Sequence, residues 1–365
     1  MMFDYADRGA GDEITLRRNR ADLDAIELRQ RVMVDVSARR VATTLVGDEV
    51  TMPVAIAPTG LAGMFWRDGE IAAAAAAADS GVPYTLSTLS ILSIEDLRAA
   101  VRRPFWFQLY LMKDRGFSAD LMARARAASC GTLMLTLDLQ VQGMRRQDIR
   151  NGLSIPPRPT WRNALDIARR PRWLAGLLLG RRRTFGNLAG RLSRPAGFAS
   201  LAAWIAAQMD PAMHWGDVDW VRARWPGKLI VKGILDAEDA TRALQHGADA
   251  IVVSNHGGRQ LDGAPSTISV LPEVVNAVAG RVEVLFDGGI LCGQDVLKAL
   301  ALGARGCLIG KAHLYGLAAG GQAGVARALG IIRDELSVSM ALTGCRDISD
   351  INRGVIRGAA AVRAH

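Results

Sequence analysis

Long apolar runs, cysteines and aromatic residues are scarce in this 365-residue chain, and the shortages exclude several classes of protein. No uninterrupted apolar stretch reaches the length of a transmembrane helix. The first residues lack the basic start and apolar core of a signal peptide. The four cysteines, which show neither paired nor metal-ligand spacing, are Cys130, Cys292, Cys307 and Cys345. We therefore expect reduced thiols in a cytoplasmic setting and no metal site.

Acidic residues are nearly absent between Arg158 and Arg194, where ten arginines accompany a single acid, Asp166. This segment alone accounts for the formal net charge of +9, so the rest of the chain is balanced. Trp161, Trp173 and several leucines lie among the arginines, a mixture typical of contact with an anionic bilayer. A solvated loop is the alternative interpretation. Stacking aromatics on a recognisable fold are missing, so we expect no nucleic-acid partner.

Eight short apolar runs alternate with helical stretches along the chain. Glycines at helix–strand junctions, such as Gly247 and Gly303, suit the left-handed cap of a helix. Eight βα units predict a (β/α)8 TIM barrel, formed by residues 1–365 as one domain. A Rossmann sheet would need G-x-G-x-x-G after an early strand, and that pattern is missing. The predicted strands are Pro53–Ala57, Pro83–Leu86, Phe105–Leu109, Thr132–Leu137, Leu229–Val231, Ala250–Val253, Glu283–Phe286 and Cys307–Ile309.

The alternation breaks once, after the fourth predicted strand, where we expect a long basic insertion at residues 158–210. In a barrel, such an insertion lies at the active-site end or extends away from it. Its arginines, tryptophans and leucines make it the candidate for a membrane-surface contact.

Residues 250–262 are the most informative segment of the chain. The run from Ile251 to Val253 is typical of a buried strand, and Gly257 and Gly258 then permit a tight turn. His256 and Arg259 therefore lie together at the carboxyl end of one strand. A base beside a fixed cation suits proton removal from a substrate that carries a carboxylate.

Polar side chains also follow the other predicted strands, where barrel enzymes place their catalytic groups. Asp138 could orient the His256 ring, and Arg145 could bind a carboxylate. Lys232 ends a buried strand, where it would form a Schiff base or place positive charge beside a developing anion. The last two strands precede the pairs Gly288-Gly289 and Gly310-Lys311, which are typical of a barrel phosphate site.

Several of these segments resemble a known family. They include Ser-Asn-His-Gly-Gly-Arg-Gln-Leu-Asp at 254–262, Trp-Phe-Gln-Leu-Tyr at 106–110 and Ile-Ala-Pro-Thr-Gly-Leu at 56–61. From about Asp4 to its C-terminus, the chain is similar to the FMN-dependent L-2-hydroxy acid dehydrogenases and oxidases. Within that family it is most similar to the L-lactate dehydrogenases.

The resemblance implies a role for each candidate residue. His256 would be the base and Asp138 its partner. The substrate carboxylate and hydroxyl would contact Tyr5, Tyr110, Arg145 and Arg259. The FMN site would comprise Pro58, Thr59, Gly60, Ser87, Gln108, Thr136, Lys232, Ser254, Asp287, Gly288, Gly289, Gly310 and Lys311. Lys232 would stabilise the anionic reduced ring.

The implied activity is oxidation of an L-2-hydroxy acid, with L-lactate as the first candidate, to the 2-oxo acid. Electrons would pass from reduced FMN to a membrane quinone. The alternatives are (S)-mandelate or another hydroxy acid as substrate, oxygen as acceptor, and a flavin-free barrel that only binds a ligand. The family also implies a homotetramer. We expect a peripheral location on the cytoplasmic side of the inner membrane, or a soluble cytoplasmic protein as the alternative.

Four positions depart from the family pattern. Relatives usually carry arginine where this chain has Leu291, so one cation for the flavin phosphate is missing. They carry Gly-Arg where this chain has Gly310-Lys311, so the second cation is the compact ammonium of a lysine and not the forked guanidinium of an arginine. We expect FMN to bind, but less tightly. Gln140 replaces the usual proline. The chain starts shortly before Tyr5, where relatives have another helix, and a frayed terminus there would displace Tyr5.

Overall fold

The computed structural model describes residues 2–152, 161–188 and 198–357. Its central element is a ring of eight parallel strands, which confirms the predicted barrel. A parallel bridge between Ile56 and Tyr84 joins the first barrel strand to the second. The barrel strands are β3 (Val54–Ile56), β4 (Thr85–Ser87), β5 (Trp106–Leu109), β6 (Thr132–Thr136), β7 (Lys228–Ile234), β8 (Ala250–Val253), β9 (Glu283–Asp287) and β10 (Gly306–Ile309).

Fourteen α-helices lie in the described residues, and most of them cover the outside of the barrel. Helix α14 is bent at Gly320–Gly321, where its backbone leaves the helical conformation. The helices are α1 (Met2–Asp7), α2 (Ile14–Ala25), α3 (Gly69–Asp79), α4 (Ile94–Ala100), α5 (Arg115–Ala127), α6 (Arg146–Arg150), α7 (Trp161–Ala168), α8 (Pro171–Leu179), α9 (Phe198–Gln208), α10 (Trp215–Arg222), α11 (Ala237–Gln245), α12 (Thr267–Val278), α13 (Gly293–Ala301) and α14 (Lys311–Leu342).

A two-stranded hairpin, β1 (Thr43–Leu45) and β2 (Asp48–Val50), covers the amino-terminal end of the barrel. Leu45 and Val50 belong to the same buried cluster as the side chains inside the barrel. The indole of Trp106, at the start of β5, donates to Asp48 Oδ2 at 2.7 Å. Because the hairpin covers this end, a ligand reaches the barrel from the carboxyl end of the strands.

The barrel strands are buried on both faces, as parallel strands between a filled interior and a helical layer must be. Met134, Ile230 and Val252 fill the interior. Leu133 and Ile251 point to the helices instead. This double burial explains why the strands occur in the sequence as continuous apolar runs.

The predicted insertion forms helices α7, α8 and α9, as far as the structure describes it. Residues 158–160 and 189–197, and with them Arg158, Arg191 and Arg194, lie outside the described residues. Helix α8 has no buried residue. In the described part of the chain, no helix is long and apolar enough to cross a membrane.

Asn187, a residue of the insertion, is hydrogen-bonded to the barrel. Its side-chain amide donates to the backbone oxygens of Ser87 and Thr88 at 3.2 and 3.3 Å. Its Oδ1 atom accepts from the backbone N–H of Ile94 at 2.9 Å. One buried side chain therefore links the insertion to the loop that follows β4.

Candidate active site

A cavity of about 900 Å³ lies at the carboxyl end of the barrel strands. Most of the predicted site residues line it. They are Tyr5, Pro58, Thr59, Gly60, Ser87, Tyr110, Arg145, Lys232, His256, Arg259, Asp287, Gly288, Gly289, Gly310 and Lys311. Gln108, Thr136, Asp138 and Ser254 lie outside the lining, and three of these four are hydrogen-bonded to lining residues. The sequence-predicted residues thus converge on one site.

His256 and Asp138 form a partly buried pair at the wall of this cavity. His256 Nδ1 lies 2.9 Å from Asp138 Oδ1. A carboxylate at this distance accepts the Nδ1 hydrogen, which leaves Nε2 of the neutral ring free to take a proton. Gly233 permits the approach of Asp138, because a Cβ atom at Gly233 would lie 2.8 Å from Asp138 Cβ.

Burial favours a neutral histidine in this pair, and nearby positive charges favour an ionised aspartate. Burial lowers the pKa of His256, and the charges of Lys232 and Arg145 act in the same direction, whereas Asp138 opposes them. Burial alone would raise the pKa of Asp138, but His256 and Lys232 outweigh it and the pKa is lowered. His256 is therefore set up as a base whose protonated form Asp138 stabilises.

Lys232 is held by a short hydrogen-bonded chain across three adjacent strands. Its Nζ atom donates to Ser254 Oγ at 2.8 Å and lies 2.9 Å from Asp287 Oδ2. Ser254 Oγ donates in turn to Asp287 Oδ2 at 2.8 Å. Burial opposes the charge of Lys232, but the carboxylates of Asp287 and Asp138 outweigh it and raise the pKa of the lysine. A fixed positive charge thus lies at the cavity wall.

Two guanidinium groups lie side by side in the same cavity. Arg145 Nε donates to the backbone oxygen of Arg259 at 3.2 Å. The Arg259 guanidinium lies 4.8 Å from the centre of the Tyr5 ring. Burial and the charge of Arg145 lower the pKa of Arg259 to about 10. The group still carries its charge at neutral pH, so this corner suits a carboxylate.

Asp148 is a site residue that sequence reasoning missed. Its Oδ2 atom lies 3.9 Å from Arg259 Nη2, and the residue lines the cavity. Burial raises the pKa of its carboxyl group, whereas Arg259 and Arg145 lower it in part. Asp148 lies on α6, a short helix outside the conspicuous motifs, so only its spacing three residues after Arg145 could have indicated a role.

Tyr110 lines the same cavity as the base and the arginines. Burial, followed by the charge of Asp138, raises the pKa of its hydroxyl above the usual value. The hydroxyl therefore stays protonated at neutral pH and can donate a hydrogen bond to a ligand.

Among the buried polar atoms without a partner in the described residues, Asp138 Oδ2 belongs to the His256 pair, and two others lie at strand ends near the cavity. They are Gln108 Nε2 and Thr136 Oγ1, at or near the carboxyl ends of β5 and β6. The other end of the Gln108 amide is fixed, because Gln108 Oε1 accepts from Ser87 Oγ at 3.1 Å. Since buried polar groups are nearly always paired, these two atoms indicate a polar ligand beside the strand ends.

Comparison with known proteins identifies the family. A family model described as FMN-dependent dehydrogenase matches residues 1–358. The chain belongs to this family. The predicted resemblance, the TIM barrel and the FMN cofactor are thereby confirmed.

Similar proteins include two curated L-lactate dehydrogenases. That of Caulobacter vibrioides is 48% identical over 355 residues, covering 97% of this chain and 93% of the relative. That of Ectopseudomonas mendocina is 46% identical, covering 97% and 94%. A crystal structure of the monotopic membrane protein (S)-mandelate dehydrogenase aligns with a TM-score of 0.92 and 38% identity, covering 98% of this chain and 94% of that one. A mandelate oxidase structure aligns with a TM-score of 0.81, 38% identity and coverage of 96% and 92%.

The residues around the cavity fit an FMN molecule. The unpartnered Gln108 amide and Thr136 hydroxyl match the polar edge of a flavin ring, which offers both donors and acceptors. Lys232 supplies a positive charge beside them. The assignment of these three residues to the FMN site, which the family resemblance implies, stays a prediction.

The predicted phosphate end of the FMN site lies at the start of α14. Gly310 and Lys311 line the cavity there, and the first backbone N–H groups of a helix attract anions. Lys311 Nζ donates to the backbone oxygen of Asp7. Burial lowers the pKa of Lys311 to about 8. The lysine is thus charged at neutral pH but close to losing its proton.

Arg20, a nearby residue of α2, does not take the place of the arginine that is missing at Leu291. The guanidinium of Arg20 donates to both oxygens of Asp295, to Asp24 and to the backbone oxygen of Gly289. These contacts use all five of its N–H groups. Leu291 itself is partly exposed at the cavity lining. The expectation of weaker FMN binding therefore stays a prediction.

The remaining two departures have simple structural consequences. Gln140 Nε2 donates to the backbone oxygen of Met213 at 2.7 Å, so it connects the loop after β6 to the segment that follows the insertion. Tyr5 lies on helix α1 and lines the cavity, so the expected displacement of Tyr5 does not occur.

Proposed function

We propose that the protein oxidises an L-2-hydroxy acid, with L-lactate as the leading candidate, to the corresponding 2-oxo acid. One observation carries the proposal: His256, which Asp138 orients from behind, lines the same cavity as Arg145 and Arg259. A carboxylate-binding corner beside a neutral base is the arrangement that a 2-hydroxy acid requires.

Bound FMN would supply the chemistry of accepting two electrons from the substrate. Arg145 and Arg259 would bind the substrate carboxylate, and the protonated Tyr110 would donate a hydrogen bond to the substrate. His256 Nε2 would take a proton from the substrate, and Asp138 would stabilise the resulting imidazolium. Lys232 would hold positive charge near the place where negative charge develops.

L-lactate leads because the relatives at 46% and 48% identity are named L-lactate dehydrogenases. A second substrate class is favoured by the cavity itself. The cavity lining also includes several apolar side chains. They are Leu89, Leu139, Val141, Phe185, Ile205 and Met209. This lining offers room and apolar contacts for a larger side chain, as in mandelate.

Steady-state oxidation with an artificial electron acceptor tests the proposal. We expect activity with L-lactate and none with D-lactate, and the ratio of kcat/KM for L-lactate and (S)-mandelate decides between the two substrate classes. Protein that retains FMN yet oxidises no L-2-hydroxy acid would contradict the proposal. Protein that neither retains nor binds FMN would instead support the flavin-free alternative.

For the electron acceptor and location, we propose a membrane quinone and peripheral attachment to an anionic membrane. The insertion supports both, because it exposes Trp161, Leu165, Leu178 and Leu179 beside several arginines. The insertion also contributes Phe185, Ile205 and Met209 to the cavity lining. A quinone that enters from a membrane would therefore contact these apolar side chains of the cavity.

Sedimentation with lipid vesicles tests this attachment. We expect binding to vesicles that contain anionic lipid, weaker binding to purely zwitterionic vesicles, and loss of binding in a Leu178→Asp/Leu179→Asp variant. The variant Val338→Asp, which alters an exposed apolar residue on α14, is the control. Equal sedimentation of all variants would contradict the assignment. Comparing turnover with a quinone analogue and turnover with oxygen tests the electron acceptor. Light scattering tests the homotetramer that the family implies.

A further inference from the structure

His313 is a buried residue for which neither the sequence motifs nor the proposed mechanism has a use. It lies on α14, two residues after Lys311, and its side chain is fully shielded from solvent. Its Nδ1 atom is 3.1 Å from the backbone oxygen of Ile309. Its Nε2 atom is 3.2 Å from Thr59 Oγ1. Thr59 lines the cavity, so the histidine lies directly behind the predicted FMN site.

These two contacts determine which ring nitrogen carries the hydrogen. A backbone carbonyl only accepts hydrogen bonds, so Nδ1 must be the protonated nitrogen. Burial lowers the pKa of His313 to about 4, so the ring is neutral at physiological pH. Nε2 therefore carries a lone pair and accepts the hydrogen of the Thr59 hydroxyl.

This pairing determines what Thr59 can offer to a ligand. A threonine hydroxyl has a single hydrogen and can otherwise use that hydrogen in any direction that its rotation allows. Here the Thr59 hydroxyl donates its hydrogen to His313 Nε2. The hydroxyl oxygen keeps only its lone pairs for a group in the cavity.

We propose that His313 is a positioning residue that makes Thr59 a hydrogen-bond acceptor toward an N–H group of FMN. This inference rests on the proposed function, because it takes Thr59 to be part of the FMN site. The other explanation for His313 is that its ring only fills space at the base of α14.

Two substitutions separate the two hydrogen bonds of His313. In His313→Asn, the amide N–H can replace Nδ1 at Ile309, but no acceptor reaches Thr59. In His313→Gln, the amide oxygen extends to the position of Nε2 and can accept from Thr59. Both changes introduce an amide of similar polarity, so a purely structural role predicts similar effects for both.

Fluorescence titration of apoprotein with FMN gives the decisive measurement. One hydrogen bond is worth roughly a 3- to 10-fold change in affinity. We expect His313→Asn to weaken FMN binding by about this factor and His313→Gln to retain most of the affinity. We also expect Thr59→Val to weaken binding, and His313→Asn to cause no further loss in the Thr59→Val background.

Three outcomes would overturn the inference. They are equal losses in the Asn and Gln variants, unchanged affinity in both, and additive losses in the double variant. Thermal unfolding of each apoprotein identifies a variant that has simply failed to fold, and the Thr59→Val variant then still tests the contact from the other side. If the unmodified chain itself binds no FMN, the proposed function fails instead, which the same titration reveals.

Discussion

Replacing Asp138 by asparagine tests the catalytic pair most sharply, because it removes one charge and little volume. The carboxylate lies 2.9 Å from His256 Nδ1 in a largely buried position. Two unit charges about 4 Å apart interact by about 4 kcal/mol at an effective dielectric constant of about 20. Losing that interaction from the imidazolium would slow the reaction by roughly 10³-fold.

The same substitution also predicts a change in the pH profile. Without the carboxylate, which now opposes the effect of burial, the pKa of His256 falls further. The base is active when it is neutral, so the acid limb of the kcat/KM profile should move to lower pH while the maximum falls. KM for the substrate should change less than kcat, because Asp138 does not line the cavity.

A second His–Asp pair of the chain provides the control. His246 Nδ1 lies 2.7 Å from Asp219 Oδ1 at the surface, away from the cavity lining. The variant Asp219→Asn should leave both kcat and the pH profile unchanged. An Asp138→Asn enzyme that keeps more than about a tenth of its activity, with an unmoved acid limb, would refute the assigned role of Asp138.

Three further predictions concern the substrate corner, the phosphate end and the insertion. Arg259→Met should raise KM for L-lactate by roughly 10- to 100-fold, since a charged hydrogen bond is lost; an unchanged KM in steady-state assays would place the carboxylate elsewhere. Lys311 loses its charge near pH 8, so FMN affinity, measured by titration, should fall between pH 7 and 9. Lys311→Arg should abolish that fall, and an identical pH dependence would implicate another group. Asn187→Ala should lower the free energy of unfolding by about 1–3 kcal/mol in urea denaturation, because it leaves buried backbone groups unpaired. No change would mean that Asn187 does not anchor the insertion.

The fold was predictable from the sequence because parallel barrel strands carry a local signal. Each is buried on both faces, so each appears as a continuous apolar run with polar residues at its carboxyl end. The residues 250–262 combine such a run with His256 and Arg259, which the structure indeed places at the cavity. The hairpin of β1 and β2 was missed, since two strands of three residues lack a clear period.

Residues that act through tertiary contacts left no such signal. Asp148 contacts Arg259 only after the loop beyond β6 has folded back, and Asn187 contacts Ser87 across 100 positions of the chain. His313 lies within a mostly apolar helical stretch that gives it no motif. Its contact with Thr59 connects the loop after the first barrel strand to the helix after the last. Spacing along the chain cannot show contacts that depend on barrel closure.

Anaerobic addition of L-lactate to the FMN-loaded protein tests the central claim most directly. That claim is that His256 serves as the base for a substrate whose carboxylate Arg145 and Arg259 bind. We predict that L-lactate bleaches the flavin absorbance within a single turnover and that D-lactate does not. A His256→Gln variant with the same FMN content should bleach at least about 10²-fold more slowly. Equal bleaching by both proteins, or by both enantiomers, would contradict the claim.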